Sequence, residues 1–285
     1  AGAVLAWRRM WPGASAGISV MSGVLGFGVG VALAVVGVAG SAWYRSQYVA
    51  PRVPPPTVAM IEGIGGPYVA LGDSYSAGEG LRPFLPGTTA TGCHRSPMAY
   101  SQRLVFEPDE VERVFRACSG AVIDDLFSPR RSVVPVDPQV AGEVHADVDL
   151  VTLTIGGNNA LFSKIVVACF NRSDCLKADF PGKGQTGPEG VPSGPLATRW
   201  GPATALRIGE RYAELFPRLR QTYPNARIVV IGYPYLFPDG RAGFVPDDCA
   251  AILRRFSLAE RRGIRHLQKQ FNDLIYARAV EAGIE

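Results

Sequence analysis

The sequence predicts an α/β domain built on a parallel sheet, carried behind an apolar N-terminal segment that spans a membrane. Three observations carry this. From residue 68 onward, short apolar or β-branched runs alternate with stretches of helical periodicity, the pattern of strands joined by crossover helices packed on both faces of a sheet. Between Arg9 and Arg45 there is no charged residue, and the centre of that stretch, ISVMSGVLGFGVGVALAVVGVAG at 18–40, exceeds the ~20 residues a bilayer-spanning helix needs. Finally, GDS at 72–74 and GGNN at 156–159 each follow a predicted strand directly. Both therefore belong on the rim at the carboxyl ends of the strands, where parallel α/β sheets bind ligands.

Composition sets the outer bounds. The 285 residues suffice for one large domain or two small ones, and 47% hydrophobic with 19% charged residues suits a globular protein carrying an extra apolar segment. The net charge of +4 is mild and Lys and Arg are scattered, which argues against a nucleic-acid partner. Arg8 and Arg9 precede the apolar run, so residues 1–17 stay in the cytoplasm, 18–43 form the anchor, and the rest lies outside the cell membrane. A cleaved signal sequence, with Ala39, Gly40, Ser41 and Ala42 as the cleavage site, would instead make the domain secreted. Residues 44–65 form a linker whose VAPRVPPPTV at 49–58 is stiff and extended. The folded domain occupies 66–285.

Within it, Tyr68–Leu71 is a short buried strand running into Gly72, Pro97–Val105 is a helix and Val111–Ala117 has strand character. VDLVTLTI at 148–155 is the clearest strand, β-branched and bounded by turn signals. The Gly- and Pro-rich 181–195 is a surface loop. Residues 203–222 form a helix with Leu206, Tyr212, Leu215, Phe216 and Leu219 as core contacts, and RIVVI at 227–231 is another buried strand. Ser257–Ala282 is a long amphipathic helix, with Ser257 as N-cap, Glu260 three residues on, and Gly283 as its stop. Five cysteines occur, Cys93, Cys118, Cys169, Cys175 and Cys249. Export permits disulfides, and an odd number leaves one over. Cys169 and Cys175 enclose a short loop and pair; CFNRSDC lacks the spacing of a structural zinc site, so no metal is expected.

The chemistry centres on Ser74, a serine on a sharp turn after a strand. A serine hydroxyl attacks a carbonyl only if a base, usually histidine, takes its proton. GDSYS at 72–76 has serine where the nucleophile elbow G-x-S-x-G has its second glycine, so an ordinary α/β-hydrolase is disfavoured. Acyl transfer also needs donors for the oxyanion. Gly156 and Gly157 permit a tight turn after which Asn158 offers its side-chain amide, and Gly120 in ACSGA at 117–121 can present a bare backbone N–H.

Together, GDSYSAGEG at 72–80, CSGA at 118–121 and IGGNN at 155–159 resemble the SGNH, or GDSL, hydrolase family, with a particular likeness to exported actinobacterial esterases and lipases through Cys93–Ser96 and the ACSGA run. The resemblance covers about 66–285. It implies a flavodoxin-like three-layer α/β/α sandwich, Ser74 as nucleophile, and an oxyanion hole from the N–H groups of Ser74 and Gly120 with the amide of Asn158. It further implies Cys93–Cys118 and Cys169–Cys175 disulfides, no cofactor, and a monomer acting on an ester of a lipid, a small alcohol or an acylated glycan.

Two departures stand out. Asn159 replaces the family's aspartate, which removes a supporting hydrogen bond from the expected set. The family's D-x-x-H block is absent: three residues before His94, His145 and His266 stand Thr91, Gly142 and Gly263. His94 reads as a surface histidine beside a disulfide, His145 sits at the wrong end of a strand, and His266 lies among cations on a solvated helix face. The expectation is that the base and the partner of Cys249 lie beyond residue 285, leaving 1–285 nearly inactive. Two other readings stand beside the esterase: a deacetylase of cell-envelope polysaccharide, and a non-catalytic binding domain of the same fold.

Overall fold

A computed structural model describes residues 60–107, 110–130, 134–140, 144–237 and 255–285. The predicted anchor at 18–43, most of the 44–65 linker and Cys249 lie outside the described residues. Among those described, no helix is long and apolar enough to cross a membrane.

The elements run β1 (Met60–Glu62), β2 (Tyr68–Gly72), α1 (Ser74–Ala77), α2 (Tyr100–Arg103), β3 (Val105–Glu107), β4 (Arg113–Phe115), a 3₁₀ turn (Ile123–Leu126), β5 (Leu150–Thr154), α3 (Phe162–Asn171), β6 (Asp179–Phe180), β7 (Gly194–Pro195), a π turn (Leu196–Trp200), α4 (Gly201–Thr222), β8 (Arg227–Val230) and α5 (Leu258–Glu281). The central sheet has the order β4-β2-β5-β8, every pair parallel, with β2 aligned on β5 from Tyr68 opposite Leu150 to Gly72 opposite Thr154. Beyond β8, the backbone of Glu285 donates to Ile228 O (3.1 Å) and accepts from Val230 N (2.7 Å). Counting the four strands in chain order gives 2-1-3-4, the flavodoxin-like sequence, whose switch point lies between β2 and β5.

Every residue of β2 and β5 is buried, which explains why both read as near-continuous apolar runs rather than alternating ones. The pleat still separates two faces. Val69, Leu71, Val151 and Leu153 pack with Ile208, Tyr212 and Phe216 of α4 and Ile275 of α5. Tyr68, Ala70 and Leu150 point the other way, against Phe106 and Val111. Thr152 is buried on that second face and is satisfied by the hydroxyls of Tyr68 (2.6 Å) and Tyr100 (3.2 Å).

Several predicted elements change on folding. The helix expected over Pro97–Val105 shrinks to the single turn α2. Ser96 Oγ accepts from Met98 N (3.0 Å) and closes a tight turn at its start, while Val105 is drawn into β3 beside β1. Leu206, expected in the core, is 60% exposed. The buried stripe of α4 runs through Thr204, Ile208, Tyr212, Leu215 and Leu219, and Leu206 falls on the opposite side of the helix. The helix α3 has no counterpart in the predicted elements; its Ile165 and Cys169 join Cys175, Phe180, Leu196, Trp200 and Ile264 in a separate apolar cluster. The 181–195 loop closes on a two-residue antiparallel pair, β6 with β7. The start of α5 is as predicted: Glu260 N donates to Ser257 Oγ (3.2 Å) and Ser257 N to Glu260 Oε2 (2.8 Å), and Gly283 follows with φ +64°.

Candidate active site

β2 ends in a turn that only glycine can make. Gly72 has φ +123°, and a Cβ there would stand 2.3 Å from Thr154 O. That closeness lets Asp73 N donate to Thr154 O (2.9 Å), pressing the turn onto the end of β5. Gln139 then holds Gly72 as a neighbouring strand would: its Oε1 accepts from Gly72 N (2.7 Å) and its Nε2 donates to Gly72 O (2.8 Å). Asp73 is 1% exposed and caps α1 by accepting from Tyr75 N (3.1 Å). Its carboxylate also accepts from Thr154 Oγ1 (2.8 Å) and from the Tyr233 hydroxyl. Burial raises its pKa above the usual carboxylate range against the pull of these donors. Ser74 is thus the first residue of a capped helical turn at the switch point.

The 118–121 loop is brought to the same level from the other side of β2. Arg116 N and Ala117 N both donate to Ala70 O, at 2.9 and 3.0 Å, so β4 gains a residue relative to β2, as in a bulge. Cys118 N then reaches Gly72 O (2.9 Å). The predicted Cys93–Cys118 and Cys169–Cys175 disulfides are both formed. Ser119 N donates to Cys93 O (3.0 Å), Arg130 donates to Ser119 O, and Gly120 has φ +77°.

After β5 comes the second glycine-dependent turn. Gly156 has φ +104°, and a Cβ would lie 2.1 Å from the Tyr212 hydroxyl, which itself donates to Ile155 O (2.6 Å). Asn158 follows, with Nδ2 donating to Ala121 O (2.9 Å). A carboxamide carries two N–H groups, so this bond orients Asn158 and leaves its second donor for another acceptor. Asn159 is buried: Oδ1 accepts from Ile123 N (3.1 Å) and Nδ2 donates to Glu189 Oε1. The amide therefore does what an aspartate at this position could only half do, since it both accepts from a backbone N–H and donates to a carboxylate.

Ser74 and Asn158 line one open cleft of about 450 Å³, together with Asp73, Tyr75, Glu79, Gly157, Phe162 and Tyr233. Gly120 is not part of that lining. It sits in the loop tied to the serine turn through Cys118 and to Asn158 through Ala121. A second, apolar pocket shares Gly157, Phe162, Tyr233 and Gln268 with the cleft and runs on to Ile165, Trp200, Ile264, Leu267 and Phe271.

None of the three histidines lines the cleft. His94 bonds Glu79 through Nδ1 (2.7 Å) and stacks on Phe84 at 4.8 Å, so it is more tightly held than a free surface histidine. Glu79 accepts from Ser119 Oγ as well (2.6 Å). Partial burial pushes the Glu79 carboxyl up, but the Ser119 and His94 donors outweigh it and hold the carboxyl below its ordinary pKa. His145 stacks on Tyr223 at 5.5 Å, near the amino ends of the strands, and His266 is exposed on α5. Among the described residues no three His, Cys, Asp or Glu side chains converge as a metal site requires. Asp73, Gln139, Glu189 and Tyr233 were not singled out in the sequence. For Tyr233 a signal existed: it follows the strand at 227–230 on the same rim as the two polar motifs. For Gln139 and Glu189 there was none, because both come from irregular chain.

Fold and site define a class: parallel-sheet α/β proteins with a serine turn at the switch point and an asparagine loop across from it. Residues 70–285 match the GDSL-like lipase/acylhydrolase family, and the chain belongs to that family. It is 29% identical to Lipase 2 of Streptomyces coelicolor over 228 residues, which cover 76% of this chain and 67% of that one. It is 28% identical to a lipase of Streptomyces rimosus over 178 residues, covering 61% of this chain and 54% of the relative, so the match spans about half of the latter's length. Phospholipase A1 from Streptomyces albidoflavus NA297 superposes with a TM-score of 0.53 at 25% identity, over 77% of each chain.

Proposed function

We propose that the chain is a serine ester hydrolase whose substrate is a lipid-type carboxylic ester. The observation that carries this is the shared wall between the Ser74–Asn158 cleft and the apolar pocket behind Gly157 and Phe162. In this reading the Ser74 hydroxyl adds to the ester carbonyl carbon as its proton passes to a general base. The oxyanion takes hydrogen bonds from Ser74 N–H, Gly120 N–H and the second N–H of Asn158. The tetrahedral adduct collapses to an acyl-enzyme, the alcohol leaves with the proton, and water releases the acid by the same steps in reverse order. His94, His145 and His266 are unsuited as the base by position. The names of the Streptomyces relatives, lipases and a phospholipase A1, support a lipid ester over an acetylated glycan. Two disulfides and the charge-free stretch after Arg9 support an exported domain.

The test is made on the native full-length protein with p-nitrophenyl acyl esters of increasing chain length against acetylated glycans. Activity is expected on the acyl esters, lost in Ser74→Ala. In Asn158→Ala kcat should fall by about 10²–10³-fold with KM little changed, as for loss of one oxyanion donor. Unchanged hydrolysis in Ser74→Ala defeats the reading; preference for the acetylated glycan replaces the lipid ester with a polysaccharide.

A further inference from the structure

We propose that Tyr233 is a positioning residue that sets the distance between the serine turn and the asparagine loop. This rests on the ester-hydrolase reading above. The Tyr233 hydroxyl donates to Asp73 Oδ2 and accepts from Gly157 N (2.9 Å). Asp73 is the residue before Ser74, and Gly157 is the residue before Asn158. One oxygen atom is therefore bonded to the immediate neighbour of each half of the site, across 160 residues of sequence on one side and 76 on the other.

A tie of this kind positions only if the tyrosine is itself fixed, and three contacts fix it. Asn272 of α5 takes both backbone groups of Tyr233: Oδ1 accepts from Tyr233 N (2.9 Å) and Nδ2 donates to Tyr233 O (2.8 Å). The ring lies against Phe271, centroid to centroid 5.9 Å. It also occupies the space over Gly157, where a Cβ would be 3.1 Å from both Cζ and the hydroxyl oxygen. Helix α5, packed on α4 and the sheet, thereby delivers a rigid phenol to the rim. The hydroxyl is fully used, with its one proton given to a carboxylate and a lone pair given to a backbone N–H, so it has no proton to offer the substrate. Removing it strips one of three donors from the buried Asp73 carboxylate and leaves Gly157 N–H without this partner. Both loops then gain freedom at the atoms that bracket the reacting carbonyl, where small misplacements cost large factors in rate.

The test is Tyr233→Phe in the native full-length protein, well below its melting temperature. Backbone amide exchange is expected to rise at least several-fold in 72–78 and 156–160 while the core strands stay protected. That measurement needs no turnover, so it judges the tie even if Ser74→Ala shows the hydrolase reading to be wrong. In the ester assay kcat is expected to fall 10- to 100-fold with KM within about three-fold. The double variant Tyr233→Phe/Asn158→Ala should lose clearly less than the product of the two single losses, because the part of the Tyr233 effect that acts through the asparagine loop is already lost in Asn158→Ala. Unchanged exchange in both loops, a kcat equal to wild type, or fully multiplicative losses in the double variant would each overturn the proposal. Asn272→Ala, which frees the Tyr233 backbone and leaves the phenol in place, should reproduce the exchange effect in weaker form.

Discussion

Asn159 gives the sharpest quantitative test of the site's construction. Its Nδ2 donates to Glu189, whose side chain is 6% exposed and lies 3.6 Å from Arg211. Asn159→Asp replaces that donor by a carboxylate oxygen in contact with the Glu189 carboxylate. Two carboxylates so placed do not both ionise; one pKa rises, typically by two to three units. At about 1.36 kcal/mol per unit, the cost is about 3–4 kcal/mol once the pH exceeds both values. The sign follows from the raised folded-state pKa. Below the unfolded pKa of about 4 the site is protonated in both states and the cost vanishes; it grows through the interval to the folded pKa and is constant above it. Urea unfolding of wild type and variant from about pH 5 to about pH 8 should therefore show a stability gap that widens with pH. Adding Glu189→Gln should close most of the gap, since the carboxamide again donates to a carboxylate across the pair. A gap that does not change with pH, or one that Glu189→Gln leaves in place, refutes the argument.

Two further outcomes are expected. Gly156→Ala puts a Cβ 2.1 Å from the Tyr212 hydroxyl at φ +104°, and should lose about 3–5 kcal/mol in thermal unfolding; Gly157→Ala, where the nearest atoms are 3.1 Å away, should cost clearly less. Removing Cys93–Cys118 by serine substitution should cost about 3.5 kcal/mol and removing Cys169–Cys175 about 2, because the first closes a separation of 25 residues and the second only 6; equal or reversed losses in denaturant unfolding would contradict the loop-closure account.

The sequence by itself determined the parts whose causes are local. The runs at 68–71 and 148–155 hold the buried strands β2 and β5 because apolar and β-branched residues dominate them, whereas β8, expected to be buried, has Arg227 exposed and Val229 and Val230 half-buried with only Ile228 fully covered; Ser257 with Glu260 starts α5 because a side chain three residues on can reach back to a backbone N–H. Ser74 and Asn158 were legible for the same reason: each stands one or a few residues past a strand, and strand ends of a parallel sheet share a rim. Leu206 was misread against the helix's own period, which sets it opposite the stripe of Ile208, Tyr212, Leu215 and Leu219, and α3 was missed because its Ile165 and Cys169 are buried by a separate cluster from distant parts of the chain. Tertiary structure alone decided which polar groups meet. The order β4-β2-β5-β8 set the 118–121 loop and the asparagine loop on either side of the serine turn. It also brought Gln139 to Gly72, Glu189 to Asn159, and Tyr233 to Asp73 and Gly157. Such pairings join residues tens to more than a hundred positions apart, and no local propensity encodes them. They exist because a buried carboxylate or amide must find its partner among whatever the crossovers deliver to the same rim.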